Sequence, residues 1–376
     1  MNELRKFVSP EFVFGDNSRL LLGQYIEHFG IDKILLVTDE NIQTMPWYQD
    51  IIDNLNDHGI SFVTYNKVAV NPRDYDVRNG TQVYLDTECD MIVAVGGGSV
   101  MDCAKGIGVL VSNPGDIIDY EGVDQIYFPI PPLICVPTTS GSSADVSQFA
   151  IITNTDEKYK MALASKILVP DLSLIDPIVT LTCDFDVTID TGIDALVHAT
   201  EAYVSNASSF VTNTQALSAV EKILKYLPAL SRDLNNLNLR RKIMEACLSA
   251  GLAFSNASLG LTHAMAHAIG GRMDLVHGEL NAMLLEHVIA FNYDHASIKY
   301  DRIHKILNEI YGEYPTLVEG IHDFINHIRP NKSVDASPIE NIYELSEYVL
   351  KDPCIVTNPK EASLEDVVMI YEKIFK

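Results

Sequence analysis

Two side-chain pairs at helical spacing and one further histidine are the residues of this chain best suited to chemistry. Residues 260–282, "GLTHAMAHAIGGRMDLVHGELNA", carry His263, His267 and His277, three of only eleven histidines in 376 residues. Upstream, "TGIDALVHATEAY" carries Asp194 and His198. Four positions separate Asp194 from His198 and His263 from His267, which sets each pair on one face of a helix. His277 follows in "VHGEL", where Gly278 predicts a turn. A single histidine on an apolar helix is ordinarily a satisfied core residue. Two pairs and a third element, flanked by alanine and glycine that let helices approach closely, predict a metal site instead. Such a site needs several lone pairs converging in a dry place, and packed helices supply one.

A second chemical signal lies in the first half. "VAVGGGSVMDCAKG" sets Gly96, Gly97 and Gly98 directly after an apolar run, with Ser99 as the expected N-cap of a following helix. Glycines let a backbone approach a ligand, and a helix N-terminus offers unpaired amides and a positive dipole to phosphate. The alternative is an ordinary tight strand-to-helix turn. Asp39, closing the run "KILLVTD", can accept hydrogen bonds from a ribose diol and repel a 2′-phosphate, which favours NAD over NADP. As a bland alternative it is a turn residue. "VPTTSGSSADVS" is another hydroxyl- and glycine-rich turn after a strand.

The elements that must position these residues fall into two textures. "KILLVTD", "ISFVTYN", "DMIVAVGGG" and "PPLICVPTT" read as strands. Helical patterns such as "YQDIIDNLNDHG" and "DYDVRNGTQVYLDT" lie between them, so the first half predicts a parallel sheet with βαβ crossovers. "FAIITNTDEKYKMALASKILVPDLSLIDP" predicts a hairpin and edge strands. Beyond about residue 184 the periodicity is helical throughout, as in "TNTQALSAVEKILKYLPAL", "LRRKIMEACLSAGLAFSNASLGLTHAMAHAIGG", "DRIHKILNEIYG", "TLVEGIHDFINHI" and "SLEDVVMIYEKIFK". The expected division is an α/β domain over 1–183, Rossmann-like in its dinucleotide binding, and an all-α domain over 184–376.

Composition narrows the partners. Lysine and arginine number 27 against 51 aspartates and glutamates, a net charge of −24, which disfavours nucleic acid and anionic membranes. No long uncharged apolar run predicts a membrane helix, and the opening "MNELRKFVSPEFVFG" lacks the features of a signal peptide. Six scattered cysteines without a CxxC pair predict reduced thiols and a cytoplasmic protein.

Taken in order, "VTDENI", "NPRDYDV", "VGGGSVMDCAKGIG", "VPTTSGSSADVSQFAIIT", "KMALASKILVPDLSLIDP", "TGIDALVHATEAYVS", "THAMAHAIGG" and "HGELNAMLLEHVIAFN" resemble the iron-containing (group III) alcohol dehydrogenases over nearly the whole chain. The resemblance implies a dehydroquinate synthase-like architecture, with NAD in the crevice between domains and a homo-oligomer. It implies Asp194, His198, His263 and His277 as ligands of Fe(II), with Zn(II) or another divalent metal as alternatives. It places His267 near the nicotinamide as a proton relay. Gly97, Gly98 and Ser99 would bind pyrophosphate with Asp102 nearby, and Asp39 would hold the adenosine ribose. Asn71, Thr138, Thr139, Ser142 and Lys160 match cofactor-contacting positions. The implied activity is hydride transfer between a small alcohol, or its aldehyde or ketone, and NAD(H), with the metal as Lewis acid.

Where the family carries Ala-Gly-Thr-Gly-Ser-Glu after its paired threonines, this chain has "SGSSAD". Ser142 keeps a hydroxyl, but Ser143 replaces Gly, Ala144 replaces Ser and Asp145 replaces Glu, which predicts an altered cleft. Arg272 and Glu279, beside the metal segment, are expected to pair with each other on a solvated face or to shape the substrate pocket. Two rival readings accompany this one: a glycerol-type dehydrogenase or dehydroquinate-type synthase of related fold, and a catalytically silent binding homologue.

Overall fold

A computed structural model describes residues 6–273, 275–329 and 341–375. The first five residues, where the sequence predicts no signal peptide, lie outside them. The chain forms two compact units: Val8–Cys183, and Asp184–Lys376 together with Met1–Phe7.

The first unit alternates strand and helix. Its elements are β1 (Glu11–Phe14), α1 (Leu22–Phe29), β2 (Lys33–Val37), α2 (Tyr48–Asp57), β3 (Ser61–Tyr65), α3 (Asp74–Asp86), β4 (Met91–Gly96), α4 (Gly98–Ser112), β5 (Gly122–Val123), β6 (Leu133–Pro137), β7 (Phe149–Asn154), β8 (Tyr159–Ala164) and β9 (Leu172–Ile175). Six strands make a parallel sheet in the order β1-β9-β6-β4-β2-β3. Alternation along each strand builds two cores. Leu35, Val37, Ile92, Ala94 and Cys135 face one way, onto Val77 of α3 and Ala104 and Ile107 of α4. Ile34, Leu36, Val93, Ile134 and Leu174 face the other, onto Leu22 and Ile26 of α1 and Ile51 and Leu55 of α2. Each valine, leucine and isoleucine among them stabilises the fold by about 1.5–3 kcal/mol relative to exposure. Burial on both faces is why the strands read as continuous apolar runs.

The strand order places a switch point. After β2 the chain steps outward to β3, then returns past β2 to lay β4 on its other side. The loops after β2 and β4 therefore diverge, and the crevice at their carboxyl ends is where open α/β sheets take ligands.

The segment after β6 departs in part from expectation. β7 and β8 form the expected antiparallel hairpin, joined by β5 in a small separate sheet. β9 is an interior strand of the main sheet and not an edge, paired to β1 and β6 on either side.

The second unit is helical: α5 (Phe185–Val204), α6 (Phe210–Leu230), α7 (Leu237–Ala257), α8 (Leu261–Met273), α9 (His277–Tyr311), α10 (Leu317–Ile328), α11 (Ile342–Lys351) and α12 (Leu364–Ile374). Asp184 caps α5, its carboxylate accepting the Val187 amide at 2.8 Å. The single periodic run from Leu239 to Gly271 is two helices. Ser258 at φ 59° turns the chain between α7 and α8. "DRIHKILNEIYG" is the last third of α9, which kinks at Ala296. Among the described residues, no helix is long and apolar enough to cross a membrane.

Candidate metal centre and dinucleotide edge

Most of the dinucleotide candidates gather at the carboxyl ends of β4 and β6, which are neighbours in the sheet. Gly97 is the N-cap of α4 and no side chain caps that helix, so its first amides face outward. Ser99 is not the N-cap but lies inside the first turn, where its hydroxyl accepts the Asn71 amide at 3.2 Å. A Cβ on Gly98 would stand 2.6 Å from Ser142 Oγ, and one on Gly97 would stand 3.5 Å from Thr139. The glycine turn and the hydroxyl-rich turn after β6 therefore form one cradle, closed enough that only glycine fits at position 98. Thr138 is buried and its amide bonds to Gly96 O at 3.0 Å, joining the two strand ends.

Lys160 on β8 donates to Asn71 Oδ1 at 2.7 Å, so it belongs to the same cluster. Burial raises the Asp102 carboxyl to about 7, against the pull of Lys105 and Lys160. Asp39 stands apart, at the end of β2. Its Oδ1 accepts the amides of Asn41 and Ile42, each at 2.9 Å. That is a turn-residue role, and it leaves Oδ2 outside those bonds.

The metal candidates gather within the helical unit. α5 supplies Asp194 and His198, α8 supplies His263, and His277 opens α9. Ligand atoms of Asp194, His263 and His277 lie within 4.8 Å of one another. Both His263 Nε2 (3.6 Å) and His277 Nε2 (3.7 Å) face Asp194 Oδ1. His198 stands beside this set, with Nδ1 3.8 Å from Asp194 Oδ2 and its ring stacked between Phe254 and His263 at 4.3 and 4.5 Å. Burial would raise the Asp194 carboxyl, but His198, His263 and His277 hold it well below the usual range. Burial also opposes charge on His263, yet Asp194 and Glu201 raise it to about 9.

One more group probes the centre. The Asn281 amide nitrogen lies 2.7 Å from Asp194 Oδ1 and 3.3 Å from Nε2 of both His263 and His277. The carboxylate oxygen and the two Nε2 atoms thus converge on one point inside the helical unit. A carboxylate with imidazoles suits divalent iron, zinc, manganese or cobalt, so the donor set fits a metal.

The comparisons with known proteins agree over both halves. Residues 9–177 match the family "Iron-containing alcohol dehydrogenase", and residues 188–375 match "Fe-containing alcohol dehydrogenase family, C-terminal". The chain belongs to the iron-containing alcohol dehydrogenase family. It is 33 % identical to the 1,3-propanediol dehydrogenase of Citrobacter freundii, over 96 % of each chain. It is 30 % identical to the NAD-dependent methanol dehydrogenase of Bacillus methanolicus, over 97 % of this chain and 98 % of that one. The crystal structure of a 1,3-propanediol oxidoreductase superposes with a TM-score of 0.93 at 32 % identity, covering 99 % of this chain and 100 % of that one.

As a family member the chain shows three supporting residues that the sequence reading passed over. Glu201 accepts His263 Nδ1 at 2.7 Å and the amides of Gly260 (3.0 Å) and Thr262 (2.6 Å). It fixes the imidazole so that Nε2 faces the centre. Glu201 lies seven positions after Asp194, two turns along the same face, and Asn281 lies four after His277; both were legible. Asp352, which binds His267 Nδ1 at 2.8 Å, is 85 positions away and carried no local signal.

Gly278 is no turn but sits inside α9. A Cβ there would come 2.3 Å from Asp190 O, so glycine seats the start of α9 against α5. Arg272 and Glu279 do not pair with each other. Arg272 bonds Glu344 and Arg329 bonds Glu279, both at 2.6 Å. In the divergent "SGSSAD" run, Ser143 adopts φ 50°, a conformation that glycine takes without strain. Asp145 is buried and accepts Ser173 Oγ at 2.7 Å, so this carboxylate serves the sheet.

Proposed function

We propose that this chain oxidises small alcohols, and reduces the matching aldehydes or ketones, with NAD(H) and a divalent metal, iron in the cell. The observation that carries the reading is the convergence of buried Asp194 and His263 with half-buried His277 in the helical unit of an alcohol dehydrogenase family member. Asp194, His198, His263 and His277 would hold the cation, which supplies the Lewis acidity that lowers the pKa of an alcohol hydroxyl. NAD would lie along Gly97, Gly98, Ser99, Asp102, Asn71, Thr138, Thr139, Ser142 and Lys160, and supplies the hydride acceptor.

The chain's own residues do the rest. Glu201 holds the Nδ1 proton of His263 and keeps its Nε2 lone pair directed inward. Asp352 does the same for His267 through Nδ1, which leaves His267 Nε2 as the atom that takes the alcohol proton and passes it on. The 1–6 % exposure of Asp194, His198, His263 and His267 keeps water from competing for these polar groups. NAD-dependent turnover by Fe(II)-loaded protein, measured over a panel of alcohols and aldehydes, tests the reading. No cofactor reduction with any alcohol would sink it and favour a silent homologue.

Asp39 is assigned the adenosine ribose, through the oxygen not used in its own turn. Asp39→Gly should raise kcat/KM for NADP relative to NAD by about tenfold or more, since a carboxylate beside a 2′-phosphate is repulsive. An unmoved ratio leaves Asp39 as a turn residue only.

A homo-oligomer in the cytoplasm completes the proposal. β1 is an edge strand that exposes Phe12, beside a surface cavity of about 650 Å³ lined by Glu11, Leu21, Gln24, Tyr25, His28 and Phe29. Open edges of this kind invite pairing. Sedimentation at micromolar protein should show a dimer or larger species; a monomer removes this part of the reading.

A further inference from the structure

His277 opens α9 and is the least buried of the four metal candidates. Its side chain is 27 % exposed, against 8 % or less for Asp194, His198 and His263. Val276, the N-cap residue of α9, makes no side-chain cap hydrogen bond, so the turn that carries His277 is not anchored there. Gly278 seats this turn against the Asp190 carbonyl. A steric seat limits how near α9 comes to α5, but it does not draw the two together.

Arg329, which follows α10, does draw them together. Its side chain is 6 % exposed. Nε lies 3.1 Å from Asp190 Oδ1 on α5, and a terminal nitrogen lies 2.6 Å from Glu279 Oε1 in the first turn of α9. Asp190 stands one helical turn before Asp194, and Glu279 stands two residues after His277. One cation therefore bridges the two segments that bring Asp194 Oδ1 and His277 Nε2 within 3.7 Å of each other. Without it, Asp190 and Glu279 would repel across a poorly screened gap. Arginine suits this place, because two nitrogens of one planar fork reach two different carboxylates, where lysine offers a single point charge.

We propose that Arg329 is a positioning residue that holds His277 at the metal centre, through Glu279 and Asp190. The inference rests on the metal reading above. Its sign separates it from plain electrostatics. A positive charge near a bound cation is repulsive, so by charge alone the loss of Arg329 would tighten metal binding. If Arg329 seats His277, its loss weakens binding in spite of that repulsion.

Zn(II) competition titrations of the metal-free protein test this, with folding checked by circular dichroism. Arg329→Met should weaken binding by about tenfold or more, in the range for groups that orient a ligand, and Arg329→Lys by less. The loss should persist in a His198→Ala background and vanish in a His277→Ala background, where no ligand remains to be seated. If Arg329→Met does not fold, Glu279→Gln, which cuts only the α9 arm of the bridge, carries the same comparison; a purely Coulombic loss would persist in both backgrounds. Cu(II), which such donor sets bind more tightly, replaces Zn(II) where the double variants bind too weakly. A wild type that binds neither metal overturns the metal reading itself. With metal bound by wild type, an Arg329→Met protein of equal or higher affinity overturns the role of Arg329 alone. So does a loss that survives in the His277→Ala background, which would make Arg329 a brace for the helices and not for His277.

Discussion

Replacing His263 by alanine is expected to empty the metal site and remove more than about 99 % of turnover. His263 is 1 % exposed, its Nδ1 is engaged by Glu201 at 2.7 Å, and its Nε2 faces Asp194. Alanine deletes a ligand atom and leaves Glu201 with only its two backbone donors. Loss of a group that merely supports a ligand typically costs about 10–100-fold in metal affinity, so loss of the ligand itself should cost more. Elemental analysis after dialysis checks this, and full metal content in the variant would count against the assignment. The wild type should also show a pH signature. Its metal-free His263 holds a proton up to about pH 9, and metal must displace that proton. Affinity should therefore fall by about tenfold for each unit the pH drops below 9, one proton being exchanged for one metal. An affinity flat between pH 6 and 8 would show that metal binding releases no proton from His263 in that range.

His267→Ala should do the opposite: keep the metal and lose rate by about 100-fold or more, the range of a general acid–base group. His267 shares a helix face with His263 and its ring stacks on His277, with centroids 5.4 Å apart. Sequence spacing alone could thus offer it to the metal. In the structure its Nδ1 is turned to Asp352 instead. A fifth protein ligand would also close the position that catalysis needs. Single-turnover rates and metal content, measured together, separate the roles. A His267→Ala protein that loses its metal would show that relay and ligand have been exchanged.

How far the sequence could be read follows from what each residue answers to locally. β2, β3, β4 and β6 are apolar runs bounded by turns, and they stand where the pattern put them. β9 falls in the segment "FAIITNTDEKYKMALASKILVPDLSLIDP", whose alternation of polar and apolar residues predicts edge strands. Ser173 is nonetheless fully buried, since Asp145 satisfies its hydroxyl from a distant loop. The break between α7 and α8 was hidden for a related reason. Apolar periodicity runs straight through Ser258, and only its left-handed backbone and the tight seat of Gly260 against Glu201 end the helix. The pairs Asp194–His198 and His263–His267 were legible because helical spacing is a local rule. Their convergence, and the reach of Asp352 to His267, belong to packing, which no local rule records.

Glu201 has a consequence for how this centre can evolve. One carboxylate from α5 both orients a ligand imidazole and caps the amino end of α8, where its charge also meets the positive end of the helix dipole. Chemistry and architecture share a single side chain. Any exchange at position 201 that retuned the basicity of His263 would loosen the helix that carries His263 and His267. Under the proposed ligand set, the environment of a ligand can change without touching a helix cap at residues such as Phe254, which stacks on His198.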